Sequence, residues 1–177
     1  MIPGIMAGGR PLVGAIAQAV RIAVAHNVSP FVTIYNTSDW SKVPNPSVLP
    51  PSTGNGACFN PAKTLLAVAH SSSPYITIYN TSAWSKVSNP AALTTGDCYG
   101  VAFNPSGSLL AVPHSPSPYL TVYNTSDWSK VSNPATLPAG FGLDVAFNPS
   151  GSLLCVAHDV SPYVTIYNTS DWSKVTN

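Results

Sequence analysis

The sequence predicts an all-β fold, a β-propeller assembled from four four-stranded blades of about 44 residues. Three observations carry this expectation. His26, His70, His114 and His158 stand 44 residues apart, and the same interval separates Tyr35, Tyr79, Tyr123 and Tyr167, then Trp40, Trp84, Trp128 and Trp172. Four such units account for all but one of the 177 residues. Within each unit, apolar runs of four to six residues are bounded by Gly, Pro, Asn and Ser, the pattern of short strands joined by tight turns. Helix is disfavoured by 18 prolines and by the β-branched and aromatic residues that fill the runs.

The third unit shows the elements in order. Strand a covers residues 100–103, Gly-Val-Ala-Phe. The turn Asn104-Pro105-Ser106-Gly107 follows, where proline presets φ and glycine accepts a positive φ. Strand b, residues 109–114, is apolar without alternation, as expected when both faces are covered. Strand c, residues 119–124, alternates; in the second unit Tyr75, Thr77 and Tyr79 face one way, Ile76 and Ile78 the other. Strand d is residues 128–131. The blades are assigned to residues 14–47, 48–91, 92–135 and 136–177, after a tail of residues 1–13. The first copy is damaged at its start. Ala15 stands where Phe59, Phe103 and Phe147 align, and Ile16-Ala17 replaces the Asn-Pro turn. Its strand a is therefore either irregular, built from residues 11–17, or absent. The sequence ends just after the last strand d, so no overlapping strand is expected to lock a ring.

Val101-Ala-Phe-Asn-Pro-Ser-Gly-Ser-Leu-Leu110, followed by Tyr119-Leu-Thr-Val-Tyr-Asn124, resembles a WD-type repeat of the highly repetitive bacterial and phage kind. The likeness covers residues 57–177 well and residues 18–48 less completely. It implies the blade plan. The family's Trp-Asp pair is replaced at Tyr35-Asn36, Tyr79-Asn80, Tyr123-Asn124 and Tyr167-Asn168, and its Gly-His pair before strand a is absent. The buried His–Ser–Trp–Asp network that the resemblance would imply therefore does not carry over.

Composition narrows the setting. Charged residues are only 7% of the chain, glutamate is absent, and the net charge is +1. That balance gives no electrostatic basis for binding nucleic acid or an anionic membrane. No apolar run is long enough for a membrane span. Low charge with abundant Ser, Thr and Asn suits a virion or extracellular β-protein, with a cytoplasmic location as the alternative. Three cysteines do not form a disulfide framework. Cys58 aligns with Ala102 and Ala146, and Cys155 with Ala67 and Ala111, so both are expected to be small buried groups. Cys98, in a variable loop, is the one expected to be exposed. The N-terminal segment reads as a bound tail rather than a cleaved leader, because Arg10 and Arg21 lie within and after its apolar stretch. Ile2, Pro3, Ile5, Met6 and Arg10 are its candidate anchor residues.

The repeating polar residues read as scaffold. The four histidines end strand b, too far apart around a ring to share an ion with bonds of about 2.1 Å. A hydrogen bond within each unit is expected instead, with no metal and no cofactor. Three of the six aspartates, Asp39, Asp127 and Asp171, fall in the repeated c–d turn. No paired acids, nucleophile–base order or phosphate loop stand out, so no enzyme is expected. The Asn-Thr-Ser triplets at Asn36, Asn80, Asn124 and Asn168 match a glycosylation acceptor, but turn capping accounts for them better.

Differences between the copies gather in the d–a and b–c connections, which leave an up-and-down sheet at one edge. Asp97, Tyr99, Phe141, Asp144 and Asp159 are the candidate recognition residues. Two accounts of this variation stand, drift in unconstrained loops and a recognition face for a glycan or a protein surface. An open array of four blades would also expose apolar ends. Roughly 500 Å² per end costs on the order of 12 kcal/mol. A four-bladed ring is tight, and a homo-oligomer is expected ahead of it, with two chains closing an eight-bladed ring as its leading form. Two functions follow. One is a structural or attachment component of a phage virion, tail or similar extracellular assembly, holding other virion or surface proteins through the N-terminal segment. The other is a free-standing carbohydrate- or protein-binding propeller.

Overall fold

A computed structural model describes residues 20–175, and these are all β-strand, turn and loop. Twelve strands follow in order: β1 (Arg21–Ala25), β2 (Val32–Asn36), β3 (Gly54–Phe59), β4 (Leu65–His70), β5 (Ile76–Asn80), β6 (Ser85–Lys86), β7 (Ala102–Phe103), β8 (Leu109–Pro113), β9 (Leu120–Asn124), β10 (Gly142–Phe147), β11 (Leu153–His158) and β12 (Val164–Asn168). They form four separate antiparallel sheets, β1-β2, β3-β4-β5-β6, β7-β8-β9 and β10-β11-β12. The register repeats: Ile22 pairs with Tyr35, Leu66 with Tyr79, Leu110 with Tyr123 and Leu154 with Tyr167.

Several expectations are corrected. Among the described residues the sheets have two, four, three and three strands rather than following a uniform four-stranded plan, and they form no closed propeller. Strand d is a true strand only as β6; elsewhere it shrinks to single bridges, Tyr35 to Lys42, Tyr123 to Lys130 and Tyr167 to Lys174. The preceding tryptophan takes a left-handed conformation in every unit, φ 58° at Trp40, 52° at Trp84 and 59° at Trp128, including the unit that keeps β6. Tyr75 does not share a strand face with Thr77 and Tyr79. It turns the chain at φ 67°, as Phe31, Tyr119 and Tyr163 do. The candidate anchor residues and the first unit's strand a lie outside the described residues.

The cysteine expectations are reversed. Cys98 is fully buried, while Cys58 and Cys155 are only half-buried. Cys98 occupies the place of Gly54 and Gly142, where the next unit meets the one before it. At those glycines a Cβ would collide with the Phe31 and Tyr119 carbonyl oxygens. The third unit carries that Cβ on Cys98, yet its junction bond to His70 O, 3.3 Å, is no longer than that of Gly142 to His114 O. Its strand a is cut to the two residues of β7, against six in β3 and β10, and Cys98 keeps a lone bridge to His114.

The core is built between sheets rather than within them. Val32, Ile34 and Val43 of the first unit pack with Leu66, Val68 and Tyr79 of the second. Ala67, Ala69, Ile76 and Ile78 pack with Leu110, Val112 and Tyr123. Ala111, Leu120 and Val122 pack with Leu154, Val156 and Tyr167. Each sheet thus has an entry face of Leu, Val and Tyr and an exit face of Ala, Ile and smaller Val or Leu side chains. Exit meets entry three times. Backbone bonds reinforce each junction: Gly54 donates to His26 O at 3.0 Å, Cys98 to His70 O at 3.3 Å and Gly142 to His114 O at 3.3 Å.

Candidate functional site

One edge of the sheets is made of repeated turns. Thr81 Oγ1 donates to Lys63 O, Thr125 Oγ1 to Gly107 O and Thr169 Oγ1 to Gly151 O, at 2.6 to 2.7 Å, tying each c–d turn to the a–b turn of its own unit. In three units an aspartate closes the c–d turn. Asp39, Asp127 and Asp171 each accept from the backbone N–H and hydroxyl of Ser41, Ser129 and Ser173. These bonds hold their carboxyls below the usual carboxylate range. The second unit has Ala83 there, and Asn80 Oδ1 instead accepts from Ser82. The Asn side chains are engaged in these turns, with Asn36, Asn124 and Asn168 donating to the same serines at 2.9 Å.

The histidines perform the scaffold task expected of them. His26, His70, His114 and His158 Nε2 each lie 2.9 Å from the hydroxyl of Thr33, Thr77, Thr121 and Thr165. Burial pushes His70 and His114 down to about 4, so they are neutral at pH 7. No group of three or more His, Cys or Asp is placed to hold a metal among the described residues.

The other edge carries what does not repeat. In the fourth unit the Phe141 N–H donates to Asp159 Oδ1 at 2.7 Å, joining the d–a loop to the b–c turn. A Cβ on Gly140 would collide with the Asp159 carboxylate and crowd Val160, so glycine is what lets these segments touch. The Phe141 ring is exposed and lies 6.0 Å from Tyr119 of the third unit, tilted by 59°. In the third unit the corresponding segments meet through the backbone, Ser115 N–H donating to Asp97 O at 3.1 Å.

The five candidate residues thus divide. Phe141 and Asp159 come together directly. Asp144 stands beside Gly100, next to Tyr99: a Cβ on Gly100 would lie 2.7 Å from Asp144 Oδ1. That oxygen also accepts the Val145 N–H at 2.9 Å. Asp97 makes no side-chain hydrogen bond to the other four among the described residues. Sequence reasoning missed Tyr119, Leu143, Val160 and Tyr163; the last three are exposed apolar groups of the fourth unit. The aromatic at Tyr119 and Tyr163 recurs at Phe31 and Tyr75, which made it look like scaffold. Asn55 was missed as well: its Nδ2 donates to Cys98 O at 2.8 Å, binding the second unit's loop to the third's.

No family model matches the sequence, and comparison with curated proteins gives no match. Among solved structures the chain is similar to one described as Kuenenia stuttgartiensis hydrazine synthase, with a TM-score of 0.70 at 16% identity. The likeness covers 82% of this chain and 42% of that one, so the chain spans less than half of its neighbour's length. At that identity the likeness describes the fold alone.

Proposed function

We propose that the chain is a non-enzymatic binding and attachment module, an array of propeller-type, WD-like blades whose non-repeating loops recognise a ligand. The observation that carries this is the Phe141–Asp159 junction. It places an exposed aromatic ring, flanked by Tyr119, beside a carboxylate whose other oxygen accepts no hydrogen bond among the described residues. An aromatic face next to hydrogen-bond acceptors suits the apolar face and hydroxyl groups of a sugar ring, so a glycan is the ligand class. The low charge of the chain fits a place in an extracellular assembly such as a phage virion.

A glycan array probed with the full chain tests this. The expected result is a defined set of bound sugars, lost in Phe141→Ala and weakened in Tyr99→Ala. An array with no bound sugar removes the ligand class, and undiminished binding by both variants removes the site.

A further inference from the structure

The two ends of the array carry the same positions that, at three internal junctions, pack one unit against the next. In the second, third and fourth units the entry-face positions Leu66, Leu110, Leu154, Val68, Val112 and Val156 are all 0% exposed. Their counterparts in the first unit, Ile22 and Val24, are 44% and 45% exposed. Trp40 is 67% exposed, whereas Trp84, Trp128 and Trp172 are packed against the three inter-unit clusters. At the other end, the exit face of the fourth unit is incompletely covered. Cys155, Ala157, Val164 and Ile166 are half-buried, while Ala67, Ala69, Ile76 and Ile78 at the same positions lie within a closed core.

We infer that the entry face of the first unit docks a second copy of this chain, through the exit face of that copy's fourth unit. Ile22, Val24, Tyr35 and Trp40 would meet Leu153, Cys155, Val164 and Ile166 of the second copy. The chemistry at both ends is that of the internal junctions: Val32 and Ile34 against Leu66, Val68 and Tyr79, or Leu120 and Val122 against Leu154, Val156 and Tyr167. A contact of this kind is heterologous, each partner using a different surface, so it either closes a ring or continues as a chain. It is independent of the loop-edge recognition proposed above, because it uses the sheet faces.

Sedimentation velocity of the full chain and two end variants tests it. The wild type is expected to sediment as a dimer or larger. Ile22→Lys and Ile166→Lys each block one end, so each alone is expected to be monomeric with an unchanged β circular-dichroism spectrum. Mixed in equal amounts, they are expected to form a dimer and nothing larger, because one good entry face and one good exit face remain. A monomeric wild type, as when another segment of the chain covers Ile22 and Val24, overturns the inference, and so does a mixture that stays monomeric. If either lysine variant does not fold, Trp40→Ala takes its place. It is expected to weaken self-association by about tenfold or more, and unchanged association overturns the inference.

Discussion

The guanidinium of Arg21 lies over the indole of Trp84, 5.2 Å from the ring centroid. Leucine holds this position in the other units, and there Leu65 shares a cluster with Trp128 and Leu109 with Trp172. Arg21 Nη1 reaches the Thr81 carbonyl only at 3.4 Å, and its Nε is buried without a partner. A cation–π contact is worth about 0.5–1 kcal/mol at such a site, while an unpartnered buried N–H costs about 1–3 kcal/mol. Arg21→Leu is therefore expected to raise stability by about 1 kcal/mol, read as a higher urea midpoint. A lower midpoint would show that the charge is needed.

Lys63 offers a second such comparison. It sits at φ 57° where Gly107 and Gly151 sit at 75° and 74°. The left-handed conformation costs a residue with a Cβ about 1 kcal/mol relative to glycine. Lys63→Gly should be more stable by that amount, and Gly107→Lys less stable. The carbonyl that Thr81 uses belongs to the backbone and survives the change. Equal denaturation midpoints for Lys63→Gly and the wild type would count against the strain.

The close approach between units predicts a loss. A Cβ at Gly54 or Gly142 would drive into the carbonyl of Phe31 or Tyr119. Gly54→Ala and Gly142→Ala should each cost about 2 kcal/mol, measured by equilibrium unfolding. A change within experimental error at both would mean that the junctions are looser than described.

Tyr79, Tyr123 and Tyr167 each donate their hydroxyl at 2.8 Å to the carbonyl of Val48, Ala92 and Thr136, anchoring the segment that enters the unit. Removing the hydroxyl leaves the ring packing intact. Each Tyr→Phe substitution should cost about 1 kcal/mol, with effects that add across the three because the sites are distant. One variant with no effect would single out a carbonyl that water satisfies.

Acid should weaken the fold before the carboxylates titrate. Burial lowers His70 and His114 from 6.5 to about 4. Between those values the unfolded chain binds protons that the folded one does not, so stability rises with pH. The contribution is complete above about pH 6.5 and is lost as pH falls toward 4. With partial solvent screening it is on the order of 2 kcal/mol per histidine. Urea midpoints compared at neutral pH and near pH 4.5 should show the fall, and His70→Gln with His114→Gln should flatten it. A wild-type profile flat over this range would contradict the burial of these rings.

What the sequence made legible follows the physics of repetition. A strand that recurs with its apolar pattern intact, such as β4, β8 and β11, can be read directly, and so can the Gly107 turn and the histidine hydrogen bond. Strand d is over-read because its apolar ends, Trp128 and Val131, suggest a strand where the chain pairs with strand c only at Lys130. The burial of Cys98 is not legible because its alignment with Gly54 and Gly142 shows a difference in residue but not the inter-unit junction in which it sits. Of the candidate residues, Phe141 and Asp159, which meet in the structure, were legible from what fails to repeat. Tyr119 and Tyr163 were not, since a residue can serve the scaffold and the surface in the same position.

One sheet-to-sheet contact, made three times inside the chain, is proposed to be made again between chains. The solvent exposure of Trp40 tests it most directly, by acrylamide quenching of tryptophan emission over a dilution series, with Trp40→Phe identifying its signal. Quenching of the Trp40 component is expected to be weak in concentrated protein and to grow on dilution as the entry face is uncovered. Quenching that is strong and independent of concentration would contradict it.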